Sequence, residues 1–97
     1  MTLGIVNAKH DLMIVPGQES RHVLSDPTWP VWDQDTPMVL YAQQVALRVP
    51  VYADGSDVVV ELNALDTVIP MPSTGFCIAA YHNGQMFRIA SGFIRRT

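Results

Sequence analysis

Residues 47–62, LRVPVYADGSDVVVEL, and residues 76–91, FCIAAYHNGQMFRIAS, decide the fold of this chain. In each segment two runs of alternating apolar residues flank a dipeptide suited to a tight turn, Asp54-Gly55 in the first and Asn83-Gly84 in the second. Such dipeptides are strong signals for a two-residue hairpin turn, because they tolerate the positive φ angles that it needs. The two segments therefore predict two β-hairpins around which the rest of the chain is arranged.

The first hairpin has a register that its own sequence supports. With its Asp-Gly dipeptide as the turn, Ala53 faces Ser56, and alternate side chains along each strand share a face. The predicted inward face is apolar and consists of Leu47, Val49, Val51, Val58, Val60 and Leu62. On the other face Arg48 meets Glu61, an opposite-charge pair that contributes about 0.2–1 kcal/mol.

The second hairpin predicts both core and surface residues. Its alternation pairs His82 with Gln85 next to the turn and Ile78 with Ile89 farther along. The predicted core residues of this hairpin are Phe76, Ile78, Phe87 and Ile89. The opposite face is neither uniformly polar nor uniformly apolar, and we predict that it binds a partner through Tyr81, Met86 and Arg88.

Shorter apolar runs predict further strands. Residues 3–6 and 12–15 are two such runs separated by a polar loop, which predicts a third hairpin. Val23-Leu24 predicts a short strand, and Gly92 predicts a bulge in the last strand.

Residues 37–47 leave two interpretations open. Thr36-Pro37 resembles the start of a short helix, whereas the residues that follow include three that favour a strand. With either outcome we predict a single all-β domain over residues 1–97. Its expected form is a small antiparallel sandwich or partly open barrel of about six to eight strands built on β-hairpins.

Residues 25–37, SDPTWPVWDQDTP, differ in character from the rest of the chain. Three prolines exclude a regular helix or a central strand, so we predict an irregular arm. Trp29 and Trp32 lie in this arm and are predicted partner contacts. Together with Asp33 and Asp35 they also support an alternative, a carbohydrate- or small-ligand-binding site. In the plainer interpretation the aspartates cap a turn and the indoles fold back as anchors.

The composition narrows the class of protein. The chain has 97 residues, a formal net charge of −3 and only 15% charged residues, and Lys9 is its single lysine. A surface so poor in charge is typical of proteins that bury part of it against a partner, so we expect self-association or a larger assembly. Nucleic-acid binding needs a basic surface and is not expected. The sequence shows no basic n-region and no long apolar run, so we expect neither a signal peptide nor a membrane partner. We expect a soluble protein, either cytoplasmic or in a virion.

The sequence argues against several kinds of chemistry. Cys77 is the sole cysteine, so no intrachain disulfide forms, and His82 lies on the opposite face of the same predicted strand. The three histidines have no recognised metal-ligand spacing, and no phosphate-binding loop or nucleophile motif occurs. We therefore expect no enzyme, cofactor or metal. One enzymatic hypothesis stays open, in which His22 acts with an aspartate of the arm.

These features together favour a non-catalytic structural or interaction module within a larger protein assembly. In general style the chain resembles small virion proteins of tailed phages: a compact β module with one lysine, a Trp/Pro arm and no catalytic signature. The resemblance rests on no specific motif. It implies a role as a capsid decoration, adaptor or tail protein.

Overall fold

The computed structural model describes residues 7–69 and 72–96. Strands make up 58% of these residues, and the described chain contains no α-helix. The eight strands are β1 Ala8–Lys9, β2 Leu12–Ile14, β3 Ser20–Leu24, β4 Met38–Ala42, β5 Leu47–Asp54, β6 Asp57–Leu62, β7 Ser73–His82 and β8 Gln85–Arg96. The all-β class and the number of strands predicted from the sequence are confirmed.

The strands form one sheet that curls into a half-barrel, which confirms the partly open barrel. Their order is β1-β8-β7-β4-β5-β6-β3, and β2 pairs with β8 as well. The pairs from β8 to β3 are antiparallel, whereas β1 and β2 run parallel to β8. Strand β5 joins the two halves of the sheet, because its residues 47–51 pair with β4 and its residues 52–54 pair with β6.

The core lies on the inward face of this curled sheet. Strand β4 alternates buried and half-buried residues along its length, as expected of a strand with one inward face. Of the predicted core residues in the second hairpin, Phe76, Ile78 and Ile89 are buried, and Phe87 is partly buried and packs against them. The predicted core of this hairpin is confirmed.

The second hairpin has the predicted turn. Asn83 and Gly84 have φ angles of 52° and 76°, which a type I′ turn requires. The predicted pairs hold from the turn as far as Ala79 opposite Arg88. Beyond them β8 contains one extra residue, so that Ile78 pairs with Ala90 and not with Ile89. The bulge therefore lies at Ile89, and the prediction of a bulge at Gly92 is wrong.

The first hairpin turns one residue later than predicted. Asp54 pairs with Asp57, so the turn residues are Gly55 and Ser56, and only Gly55 has a positive φ, of 64°. This is the pattern of a type II′ turn, which takes glycine at its first position. Ala53 consequently faces Val58. The register is displaced by two residues, an even number, so the predicted inward face is preserved.

The predicted pair between Arg48 and Glu61 is not formed. Strands β5 and β6 pair only up to Tyr52 opposite Val59, and Glu61 accepts a hydrogen bond from the Tyr52 hydroxyl at 2.7 Å. Farther from the turn β5 contains Pro50, which has no N–H with which to continue the pairing. An open groove of about 890 Å³ separates the two strands beyond this point, with charged walls formed by Glu19, Arg21, Arg48, Glu61 and Asp66.

The N-terminal segment follows β8 and forms no hairpin with itself in the described residues. Residues 3–6, one arm of the predicted third hairpin, lie outside them, and β2 pairs with β8. Between β1 and β2 the Asp11 carboxylate accepts hydrogen bonds from the Phe93 N–H and from Arg95 Nε, both at 3.1 Å. The hydrogen bond from Arg95 lowers the pKa of Asp11 below its ordinary value, and the Phe93 bond adds to this effect. Asp11 therefore holds the N-terminal segment against β8 in the gap between β1 and β2, where the strand pairing is interrupted.

Residues 37–47, for which the sequence allowed either a strand or a helix, are mostly strand. Strand β4 ends at Ala42 and is followed by a single 3-10 turn, Gln43–Val45. Ala46, with φ 54°, then redirects the chain into β5.

The strand Ser20–Leu24 contains the predicted Val23-Leu24 strand. No helix in the described ranges, 7–69 and 72–96, has the length and apolar character needed to cross a bilayer.

Candidate functional site

The arm, residues 25–37, is irregular as predicted, but its tryptophans point inward. Trp29 is 5% exposed and Trp32 is 4% exposed. Trp32 donates two hydrogen bonds to the β5–β6 turn, from its backbone N–H to Gly55 O at 2.9 Å and from Nε1 to Ser56 O at 3.2 Å. A tryptophan is rarely so completely buried unless its N–H finds a partner, as this one does.

The two indoles connect distant parts of the sheet. Ring contacts run from His10 to Trp29, from Trp29 to Trp32 and from Trp32 to His82, with centroids 6.3, 6.3 and 5.5 Å apart. The contact between Trp32 and His82 is edge-to-face, a favoured geometry for aromatic pairs. The arm therefore links the loop after β1 with the end of β7. This corrects the prediction that Trp29 and Trp32 contact a partner, because their surfaces are already covered.

Asp33 and Asp35 remain exposed on the outer side of the arm. They line a shallow cleft of about 380 Å³ with Tyr81 and His82 at the end of the second hairpin. The Tyr81 N–H donates to Pro37 O at 3.0 Å and holds the arm against this hairpin. The structure thus brings together two aspartates and a tyrosine that the sequence had placed in separate candidate sites.

The predicted surface of the second hairpin belongs to a larger outer face of the sheet. Tyr81 and Met86 are direct cross-strand partners, 47% and 58% exposed, and Arg88 is exposed next to them opposite Ala79. The same side of β2, β8, β7, β4 and β5 carries Met13, Tyr41, Arg48, Cys77, Ser91, Phe93 and Arg95. We call the residues on this side the outer face.

A depression of about 280 Å³ lies at the centre of the outer face. Small residues form part of its lining, and Tyr41 and Arg88 stand beside them. A hydrogen bond between the Tyr41 hydroxyl and the Cys77 thiol raises the pKa of Tyr41, while a hydrogen bond with Arg88 acts in the opposite direction. The sequence did not predict this grouping, since residue 41 joins Cys77 only once residues 38–42 are known to be a strand beside β7.

The histidines lie apart. His22 is half-buried on β3 with Nε2 3.2 Å from Ser20 Oγ, and burial lowers its pKa. His10 and His82 lie instead against the two tryptophans. Within residues 7–69 and 72–96, no three His, Cys, Asp or Glu side chains are grouped to hold a metal ion. The contact observed for His22 is with a serine of its own strand, so the hypothesis of a His22–aspartate enzyme gains no support.

No protein-family model matches the chain, and no curated protein matches it. Its class therefore rests on the fold, an all-β domain with a mixed sheet curled into a half-barrel.

Proposed function

We propose that this protein is a non-catalytic structural or interaction module that packs into a larger protein assembly through its outer face. The observation that carries the proposal is the exposed cross-strand pair of Tyr81 and Met86 with Arg88 beside it. The solvated face of an antiparallel sheet is ordinarily polar. Tyrosine, methionine and arginine are instead enriched in protein interfaces, and tyrosine and arginine often supply much of the binding energy.

The proposal extends to a setting in a virus particle, as a capsid decoration, adaptor or tail protein. Its support is the resemblance in style to small virion proteins, together with an outer face suited to repeated contacts in an assembly. A gene neighbourhood without capsid or tail genes would count against this extension and leave the interaction module itself in place.

Charging the outer face should abolish self-association. We expect the mass of the native protein, measured by light scattering, to rise above 10.7 kDa with concentration. The double variant Tyr81→Glu/Met86→Glu should remain monomeric, because burying two carboxylates in an interface without partners is strongly unfavourable. Both positions are exposed, so the cost in folding is limited to the lost cross-strand contact and the repulsion between two facing glutamates, about 1 kcal/mol.

The matched control is Leu65→Glu/Val68→Glu, which charges two exposed apolar residues outside the outer face, 84% and 61% exposed. It should associate like the native protein. The proposal fails if the native chain stays monomeric at all concentrations, or if the control variant disrupts association equally.

A second candidate is carbohydrate or small-ligand binding in the cleft of Asp33 and Asp35. The observation that favours it is the exposed Tyr81 ring beside two carboxylates, an arrangement that suits sugar hydroxyls on an aromatic platform. Trp32 reports on this cleft, since it touches His82 in the cleft wall. A bound glycan should shift tryptophan fluorescence, and Tyr81→Ala should remove the shift. An unchanged spectrum across a glycan panel would eliminate this candidate.

A further inference from the structure

We infer that copies of this chain associate head to tail, with the acidic end of one copy seated on the outer face of the next. The inference rests on the proposed function and specifies its partner, a second copy, and the two surfaces that meet.

The outer face is basic. Lys9, Arg48, Arg88 and Arg95 lie on it or along its edge, and they are four of the six basic residues in the chain. Among the described residues at this face the acids are Asp11, which Arg95 neutralises at 3.1 Å, and Asp54, which lies on the same side of β5 as Arg48 but at the other end of that strand. Lys9 donates to Ser91 Oγ at 3.0 Å, so its ammonium is held over β8. Around Lys9, Arg88 and Arg95 the local charge on this face is therefore positive although the protein as a whole is negative, whereas Arg48 shares its groove with Glu19, Glu61 and Asp66.

The acidic end lies at the turn between β5 and β6 and the adjoining arm. Asp54 and Asp57 flank the turn, and Trp32 ties the arm to it through Gly55 O and Ser56 O. This brings the arm residues Asp33 and Asp35 to the same end of the molecule. Residues 25–37 and 49–60 contain no lysine or arginine, so these four carboxylates have no basic neighbour in their own segments.

Charge selects the orientation in which two copies meet. Two chains of net charge −3 repel on average, and contact between two outer faces brings like charges together. Placing the acidic end on the outer face is the complementary arrangement, and the Arg88 guanidinium beside the depression is a donor for a carboxylate. At about 280 Å³ the depression is below the roughly 300 Å³ of small-ligand pockets. It suits an inserted side chain.

A head-to-tail contact has a structural consequence that a symmetric dimer lacks. Each copy that joins leaves one outer face and one acidic end free, so association continues into a ring or a filament. Head-to-tail growth therefore distinguishes this inference from the proposed function alone, which any mode of association through the outer face would satisfy.

The test uses two variants that each lack one surface. The face variant is Arg48→Glu/Arg88→Glu, and the end variant replaces Asp33, Asp35, Asp54 and Asp57 with asparagine. Each should be monomeric alone by light scattering. An equimolar mixture should give dimers and nothing larger, because it contains one intact face and one intact end for each pair. Native association should weaken at least tenfold between about 0.05 and 0.5 M salt, where the screening length shortens severalfold.

The outcomes separate the two proposals. A native protein that is monomeric throughout overturns both. Native association that is insensitive to salt, variants that still associate alone, or a mixture that stays monomeric overturns the head-to-tail arrangement and leaves the proposed function intact. If circular dichroism shows that the face variant is misfolded, Arg48→Gln/Arg88→Gln replaces it and must meet the same criteria.

Discussion

Replacing Gly92 by alanine should lower the free energy of unfolding by about 3 kcal/mol. A Cβ at this position would overlap His10 O and would lie 2.7 Å from the His10 carbonyl carbon. Both atoms belong to the backbone, so no side-chain rotation relieves the clash. The segment between β1 and β2 must then move away from β8, which breaks the bond from His10 N–H to Ser91 O. Each such hydrogen bond contributes about 0.5–1.5 kcal/mol.

Urea or thermal unfolding measures this effect. For a chain of this size about 3 kcal/mol corresponds to a fall in Tm of roughly 12–24 °C. Gly75→Ala is the matched control, because it lies on the neighbouring strand β7 and its Cβ meets only Gly92 O, at an ordinary 3.9 Å. It should change stability by no more than about 1 kcal/mol. Equal stabilities of the two variants would show that the N-terminal segment does not cross β8 at Gly92.

Replacing Trp32 by alanine should cost about 3–5 kcal/mol, the usual range for a buried tryptophan. The indole is 4% exposed, packs against Trp29 and His82, and donates to Ser56 O. Its removal leaves a cavity and an unpaired carbonyl, and it weakens the attachment of the arm to the turn between β5 and β6, because of the two hydrogen bonds only the backbone bond to Gly55 O remains. Trp32→Phe should cost less, since it keeps most of the packing and loses mainly a hydrogen bond of about 1 kcal/mol.

Val31 provides the control within the same arm. It is 77% exposed, so Val31→Ala should change stability by no more than about 0.5 kcal/mol. Unfolding experiments measure both variants, and limited proteolysis within residues 25–37 measures the release of the arm. A Trp32→Ala protein as stable as the Val31→Ala protein would mean that the indole is not an anchor in solution.

The inward face of the first hairpin, and that of the second as far as the bulge at Ile89, were predictable because strand alternation has a period of two. An even displacement of register, as in the first hairpin, leaves the inward and outward sets unchanged. The position of the first turn was less predictable, since Asp54-Gly55 and Gly55-Ser56 both place glycine where a hairpin turn accepts it. The extra residue at Ile89 was not predictable from alternation, because both Ile89 and Ala90 are apolar and both are buried.

The residues of the candidate site were likewise predictable only where a local hairpin register determined which way they face. Tyr81, Met86 and Arg88 were predicted as one surface because they belong to a single hairpin, whose local register determines their face. Trp29 and Trp32 were predicted as partner contacts, with anchoring of the arm as the plainer alternative, and the structure buries them. The sequence did not decide between the two, because irregular backbone has no period from which a side chain's direction can be inferred. Tyr41 entered the site only through pairing with a strand more than 30 residues away.

By itself the sequence of this protein determined its β class, its two hairpins, their inward faces and the low charge that motivates an assembly role. These are consequences of local backbone preference and of side-chain alternation, which act over a few residues. Only the tertiary structure decided the parallel course of β1 and β2 along β8, the burial of the indoles, and the separation of charge between outer face and acidic end. These depend on contacts between residues distant in sequence, which form where packing and hydrogen bonding are best satisfied over the whole domain.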